Sequence, residues 1–517
     1  MPPPVSVPPR TLHPVRLDAW LLALAAAKFL AQLLLSGRYG LHRDEYLYLD
    51  MAHHLAWGYK EIPPLLVPFS WLAQAVFGHS VIGVKFFPAL FGGLTVLLTG
   101  LVAREAGGGR VAQLAAGLGV ALGPVYLAMH GLFQPNFLDV FCWTLYGYLL
   151  VRFVRRHEPR LLLWLGAAIG LGLLAKYTTA FYVLALLLAL LLTPAERPWL
   201  LTRWFWGAVG LAALIFLPNL VWQATHNWPV LGHMHTLQET QLTHVSPVNF
   251  LVDQLPMTLA GALLWLAGLW FCFTPAGKAY RPLALAYFFV ITLLVLSRGK
   301  NYYAAAVYPP LMALGAVYLE GKSRAVLLGT LAVGVLLTVP VVPALLPVLS
   351  VEQLASYAKK LPVDALTRWE DGKQHNLPQD AADMHGWDEY APLVQRALAQ
   401  LPPQERAHCL VYGDNYGQAG ALNWYGPALG LPRCYSLNGS NSYWMPRPDT
   451  VSAIVYANEG GPDDNLPRMF GQSAVIGRVR SPYARIQGSE VILYRHPKPE
   501  FLGFLRTRIG EAQRGFE

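Results

Sequence analysis

"GLHRDEYLYLDMAHHLAWGYKEIPPL", residues 40–65, decides how the chain is read. It stands between two apolar runs, 17–35 and 81–103, each near the ~20 residues that cross a bilayer. It carries Asp44, Glu45, Asp50 and Glu61 among aromatic residues and ends in a stiff Pro63-Pro64 pair. Four carboxylates in a short segment pressed against a membrane call for a chemical reason.

The rest of the chain supports the membrane setting. Of its 517 residues, 54% are hydrophobic and 13% are charged, against about 25% charged in soluble domains. Eleven spans are expected: 17–35, 81–103, 111–129, 131–151, 161–175, 177–192, 204–222, 251–273, 282–297, 302–319 and 325–346. Residues 161–192 must cross twice, because one helix of that length would reach roughly 48 Å in a hydrocarbon core of about 30 Å. Arginines flank the stretch on both sides (Arg152, Arg155, Arg156 and Arg160 before it, Arg197 and Arg203 after it) and place both flanks in the cytoplasm. Lys176 then falls at the outer turn. With a cytoplasmic N-terminus, fourteen Lys and Arg face inward. Six face outward: Arg38, Arg43, Lys60, Lys176, Arg298 and Lys300. The net charge of +9 is therefore mainly an orientation signal, not a nucleic-acid surface. The Pro-rich first sixteen residues show no cleavable leader, so the first span is expected to be an uncleaved anchor in the inner (plasma) membrane.

Composition turns polar near Leu349. Residues 1–348 read as the membrane domain, with long outer loops 36–80 and 223–250. Residues 349–517 read as a small extracytoplasmic α/β domain. It has a helix over 387–400 and short buried strands in "HCLVYG", "VSAIVYA" and "EVILYR". Cys409 and Cys434 lie in this domain, and the sequence leaves open whether they pair or simply pack.

The chemistry-bearing residues gather on the outer side. Asp44 is expected to cap an interfacial helix over 45–57, with Glu45 in its first turn. A carboxylate fixed there suits a general base for a hydroxyl. Asp50 reads as solvated. Glu61 is a turn residue aimed by the two prolines. Arg43, Asn136 and Asp139 are supporting polar residues. Asp139 lies inside a span and needs a function or a partner such as Lys28 or Lys85. Lys176, Arg298, Lys300, Tyr302 and Tyr303 either anchor the chain at the interface or bind a lipid-borne phosphate. Carboxylates that activate an acceptor, beside cations that receive a phosphate, describe glycosyl transfer from a polyprenyl-phosphate sugar.

At these residues the chain resembles the bacterial glycosyltransferase family 39 proteins, relatives of the protein O-mannosyltransferases and of the lipid A aminoarabinose transferase. The resemblance rests on "RDEYLYLDMAHHLAWGYKEIPPL", "QPNFLDVFCW", "GLLAKYTTAF", "PNLVWQATHNWP", "RGKNYYAAAVYPPLMALGA", "DNYGQAGALNWYGPALGLP" and "GSNSYW". It implies a mainly α, polytopic GT-C fold and an inverting, single-displacement transfer. Its acidic pair maps onto Asp44 and Glu45, and a further acidic position onto Glu61. Where relatives often carry a polar residue before the prolines, this chain has Ile62. The implied partners are a polyprenyl-phosphate sugar, membrane lipids and a glycan, lipid or protein acceptor. No cofactor is required by the motifs; some relatives hold a divalent metal, for which Glu61 with His233 or His235 would be the ligands. The competing reading is a glycolipid transporter or flippase. It is disfavoured because no internal repeat is visible and the polar residues sit at one face rather than at midplane.

Overall fold

The computed structural model describes residues 18–240, 242–361, 366–459 and 466–515. The expectations for the first sixteen residues, including Arg10 and Arg16, lie outside the described residues.

The protein is mainly helical. The helices that build the site are α1 (Ala19–Ser36), α2 (Arg43–Met51), α3 (Val81–Glu105), α4 (Pro135–Arg156), α5 (Arg160–Ala175), α6 (Thr179–Leu192) and α7 (Arg203–Thr225). Among the described residues, six helices are long and apolar enough to cross a membrane. They are α1, α3, α4, α7 and the stretches Lys278–Leu296 and Asn301–Lys322. The other five expected spans contain shorter apolar helices: Arg110–Leu122, α5, α6, Leu259–Phe273 and Arg324–Thr338. Length and composition thus carry six of the eleven expected crossings. The stretch 161–192 divides into two helices at Lys176, as the arginine pattern requires.

The expected span 111–129 is broken. A helix over Arg110–Leu122 ends at Gly123, and Pro124 opens a new one over Pro124–Met129. Proline cannot donate into the preceding turn, so carbonyls at the break lose partners. Lys28 and Gln32 of α1 supply them: Lys28 Nζ donates to Ala121 O at 3.1 Å and Gln32 Nε2 to Leu127 O at 2.8 Å. Lys28 is therefore not the partner of Asp139.

The C-terminal part carries a five-stranded sheet in the order β2-β1-β3-β5-β4. Its strands are β1 (Cys409–Gly413), β2 (Cys434–Tyr435), β3 (Ala453–Ala457), β4 (Phe470–Arg478) and β5 (Glu490–Pro497). Strand β1 pairs in parallel with β2 and β3, while β5 runs antiparallel to both β3 and β4. The three strands legible in the sequence are the three central ones. Their apolar runs are buried, whereas β2 is two residues long and β4 is largely exposed. The expected helix over 387–400 is Tyr390–Ala399, entered through a 3-10 turn at Trp387–Glu389. All four cysteines are free thiols.

Three expectations about the segment 40–65 need correction. Helix α2 spans 43–51, not 45–57, and its cap is His42, whose Nδ1 accepts the Asp44 N–H at 3.1 Å. The helix does not lie on a lipid surface. Tyr46, Leu47, Tyr48, Leu49 and Met51 are all buried, because a helix of the C-terminal part, α8 (Tyr416–Tyr425), packs directly on α2. Gly420 permits this approach: a Cβ there would meet Tyr46 O at 2.6 Å. Asp50, expected in solvent, is buried by the same contact and bonded to Arg433 at 2.6 Å.

Glu45 anchors this arrangement. It is fully buried and accepts Lys85 Nζ of α3 at 2.5 and 2.6 Å, Phe133 N at 2.5 Å and His42 N at 2.7 Å. Removing one member of a buried ion pair strands the other charge, at about 3–5 kcal/mol. Glu45→Gln is therefore expected to lower the melting temperature of the purified protein by several degrees. A Glu45→Gln/Lys85→Met double variant should regain much of that loss. Unchanged melting in the single variant would contradict the anchoring role.

Candidate active site

Consecutive residues of a helix point about 100° apart. With Glu45 turned into the membrane part, Asp44 is turned away from it, toward the seam with the C-terminal part. Asp44 Oδ1 accepts the Tyr416 hydroxyl at 2.8 Å, and Oδ2 accepts Gln134 Nε2 at 3.1 Å. From Gln134 the hydrogen bonds continue. Asn136 Nδ2 donates to Gln134 Oε1 at 3.1 Å, and Lys176 Nζ donates to Asn136 Oδ1 at 2.6 Å. Lys176 lies 3.9 Å from Asp139, whose Oδ2 accepts the Thr178 hydroxyl at 2.8 Å. A continuous polar chain thus joins the carboxylate of α2 to the cation at the α5–α6 turn, through the residues that open α4.

The tyrosines expected near the cations are there. Lys176 Nζ sits 4.6 Å from the centre of the Tyr303 ring and 5.7 Å from that of Tyr302. Lys300 lies over Tyr302 at 5.9 Å and forms an ion pair with Glu370 of the C-terminal part. Burial works against both charges, yet the pair prevails: the Lys300 pKa is raised and that of Glu370 is lowered. Arg43 bonds Glu459 at 3.2 Å and covers the Tyr416 ring at 5.0 Å. Burial holds the Tyr416 phenol well above its ordinary range, so it is a donor to Asp44 and not a competing anion.

The structure therefore gathers Asp44, Arg43, Asn136, Asp139, Lys176, Lys300, Tyr302 and Tyr303. Arg298 stands apart: it is exposed, in a left-handed conformation (φ 51°), and its side chain makes no hydrogen bond or ion pair among the described residues. Glu45 is consumed by its anchoring bonds. Glu61 points into the C-terminal part, accepting Ser440 N at 2.8 Å and Ser440 Oγ at 2.5 Å. Its neighbour Lys60, expected as an outward charge, is buried and donates to Ala512 O and Gly515 O, both at 2.5 Å.

The residues named for a divalent metal do not form a site. Glu61 is bonded to Ser440, and His235 pairs with Glu239 at 3.4 Å. His233 lies beside Lys300; burial and that charge lower its pKa to about 4. No cluster of three His, Cys, Asp or Glu suited to a metal occurs among the described residues.

Three members of the site escape the sequence reading: Gln134, Tyr416 and Glu370. Gln134 and Tyr416 fall inside the quoted motifs "QPNFLDVFCW" and "DNYGQAGALNWYGPALGLP". The helix that carries Tyr416 also had a legible start, because Asn415 and Gln418 form a capping box. Glu370 has no local signal.

Residues 61–222 match the family model described as dolichyl-phosphate-mannose-protein mannosyltransferase. Two solved structures of ArnT from Cupriavidus metallidurans superpose on nearly the whole chain. The apo form gives a TM-score of 0.63 and the form bound to undecaprenyl phosphate 0.61; each is 15% identical and covers 92% of this chain and 97% of its own. The chain has the GT-C fold. The resemblance read from the motifs is borne out at this level. Two curated relatives from Rhizobium johnstonii are similar over part of their length. The lipopolysaccharide core galacturonosyltransferase RgtB is 30% identical over 211 residues, 40% of this chain and 42% of RgtB. The lipid A galacturonosyltransferase RgtD is 25% identical over 236 residues, 44% of this chain and 48% of RgtD. The chain thus spans less than half the length of either curated relative it matches.

Glu61 offers a direct test of the seam. Glu61→Ala leaves the buried N–H and hydroxyl of Ser440 without their acceptor, at about 1–3 kcal/mol. Hydrogen exchange is expected to quicken over residues 438–446 while the amides of α3 keep their protection. Exchange at wild-type rates in 438–446 would show that Glu61 does not fix that segment.

Proposed function

We propose that the protein is a membrane glycosyltransferase that moves a sugar from a polyprenyl-phosphate carrier to an acceptor on an envelope glycolipid, at the outer face of the inner membrane. The observation that carries this reading is the short polar chain from Asp44 to Lys176. On this reading it links a base on α2 to a phosphate-binding cation at the α5–α6 turn. Support comes also from the undecaprenyl phosphate bound by ArnT and from the lipopolysaccharide and lipid A acceptors in the relatives' names. Those names also favour a uronic acid as the sugar.

In the proposed step the acceptor hydroxyl gives its proton to Asp44 as its oxygen bonds to C1 of the sugar. The bond between C1 and the phosphate oxygen breaks, and the electron pair leaves with the lipid phosphate. Attack opposite the leaving group inverts C1. Lys176 meets the developing charge, with Tyr302 and Tyr303 beside it as hydroxyl donors. Lys300 joins them once the arriving anion displaces Glu370. Glu45 and Glu61 hold the loop that presents Asp44. Asp139 keeps Lys176 in place, since two opposite charges at that depth stabilise one another.

A positioned base contributes about 10²–10⁴-fold. Asp44→Asn is therefore expected to fold normally and to lose at least about 10²-fold of its turnover. The assay is sugar transfer from undecaprenyl-phosphate galacturonate to a lipid A–core acceptor by the purified protein. Lys176→Met should raise the donor KM and lower kcat together. Near-normal turnover by a well-folded Asp44→Asn protein would leave that carboxylate a structural role only. Orientation has its own check: a reporter that works only in an oxidising, external compartment should be active when fused after residue 517. Activity there of a reporter confined to the cytoplasm would reverse the proposed topology.

A further inference from the structure

Asp44 is the only ionisable carboxylate of the polar chain whose two oxygens are held by different parts of the molecule. Gln134, at the start of α4, holds Oδ2; Tyr416, at the first position of α8, holds Oδ1. The Tyr416 hydroxyl is not free to swing. Its ring lies under the Arg43 guanidinium at 5.0 Å, Gly417 N is bound to Asn415 Oδ1 at 2.7 Å, and Gly420 seats α8 against α2. A carboxylate held on one oxygen only can rotate about its terminal bond. One held on both keeps a lone pair aimed in a fixed direction, and a base works only when that direction meets the acceptor proton.

We infer that Tyr416 is a positioning residue for the base: its phenol fixes the Asp44 carboxylate across the seam, so that the catalytic acid–base group is assembled only when the C-terminal part is docked. This rests on the reading of Asp44 as the base. It gives the C-terminal part a share in the reaction that no motif in the membrane part provides. A hydrogen bond from a neutral donor also stabilises the ionised carboxylate over the protonated one. Losing it has a signature that a merely structural contact lacks: the acid limb of the rate profile moves to higher pH.

Other charged and titratable groups face this pair: His42 and Tyr48 on or beside α2, Lys300 and Tyr302 from the outer loop, and Glu370 and Asp383 from the C-terminal part. None is altered in the variants below, so a shift reports the hydroxyl itself.

The test uses the full-length protein with undecaprenyl-phosphate galacturonate and a lipid A–core acceptor. Tyr416→Phe should lower kcat about tenfold, leave the donor KM unchanged and move the acid limb to higher pH. Placing 3,5-difluorotyrosine at 416 keeps the ring and its packing but makes the hydroxyl a stronger donor, so the limb should move to lower pH. In an Asp44→Asn background, Tyr416→Phe should cost no further turnover. An inactive Asp44→Asn protein combined with a Tyr416→Phe protein whose kcat and rate profile match those of wild type overturns this inference alone. An Asp44→Asn protein with normal turnover overturns the base reading and this inference with it.

Discussion

The buried pair of Glu45 and Lys85 is the interaction on which the site depends. A carboxylate and an ammonium removed from water are unfavourable apart, and together they persist only with every lone pair occupied. Glu45 meets that demand with four contacts, from Lys85 twice, from Phe133 N and from His42 N. Those contacts tie α2 to α3 and to the chain entering α4. Helical geometry then does the rest. With Glu45 locked inward, its neighbour Asp44 has one direction left, and that direction is the seam where Gln134 and Tyr416 wait. The two adjacent acids, alike in sequence, divide into a buried anchor and a carboxylate at the seam.

The seam is the second organising feature. The C-terminal part does not hang from the membrane part as a separate body. It buries α2, accepts Lys60 at Ala512 and Gly515, bonds Glu61 through Ser440 and sends Glu370 to Lys300. Glu370 neutralises Lys300 there, so this largely buried lysine keeps its charge compensated. At the broken helix around Gly123-Pro124, Lys28 bonds Ala121 O and Gln32 bonds Leu127 O, so that polar groups remote from water pair inside the membrane part as well.

Much of the fold was legible before any coordinates. Apolar length, arginine placement and the change of composition near 349 give the helical membrane part, the double crossing at Lys176 and the central strands of the sheet. These features are local. Each depends on a short window of residues and on the cost of placing charge or bare backbone in hydrocarbon. The polar cluster was legible for a related reason: carboxylates and lysines where a membrane protein least tolerates them stand out against the apolar background. Asp44, Asn136, Asp139, Lys176, Lys300 and the two tyrosines, which the fold brings together, were named on that basis.

What the sequence could not determine are the partnerships. Whether Glu45 or Asp44 turns inward, whether Asp50 meets water or Arg433, and which residue holds Asp44 all depend on contacts between segments up to several hundred residues apart. Arg298 and Lys300 look alike in "RGKNYY", yet one is exposed and the other is paired to Glu370. The sequence by itself determined a membrane-embedded helical protein with acids and cations clustered in the segments between its apolar helices. The tertiary structure decided which of those acids is buried in an ion pair and which is left at the seam. That division follows from burial and from the number of hydrogen bonds on each carboxylate, and both are set only when the two parts of the chain close on α2.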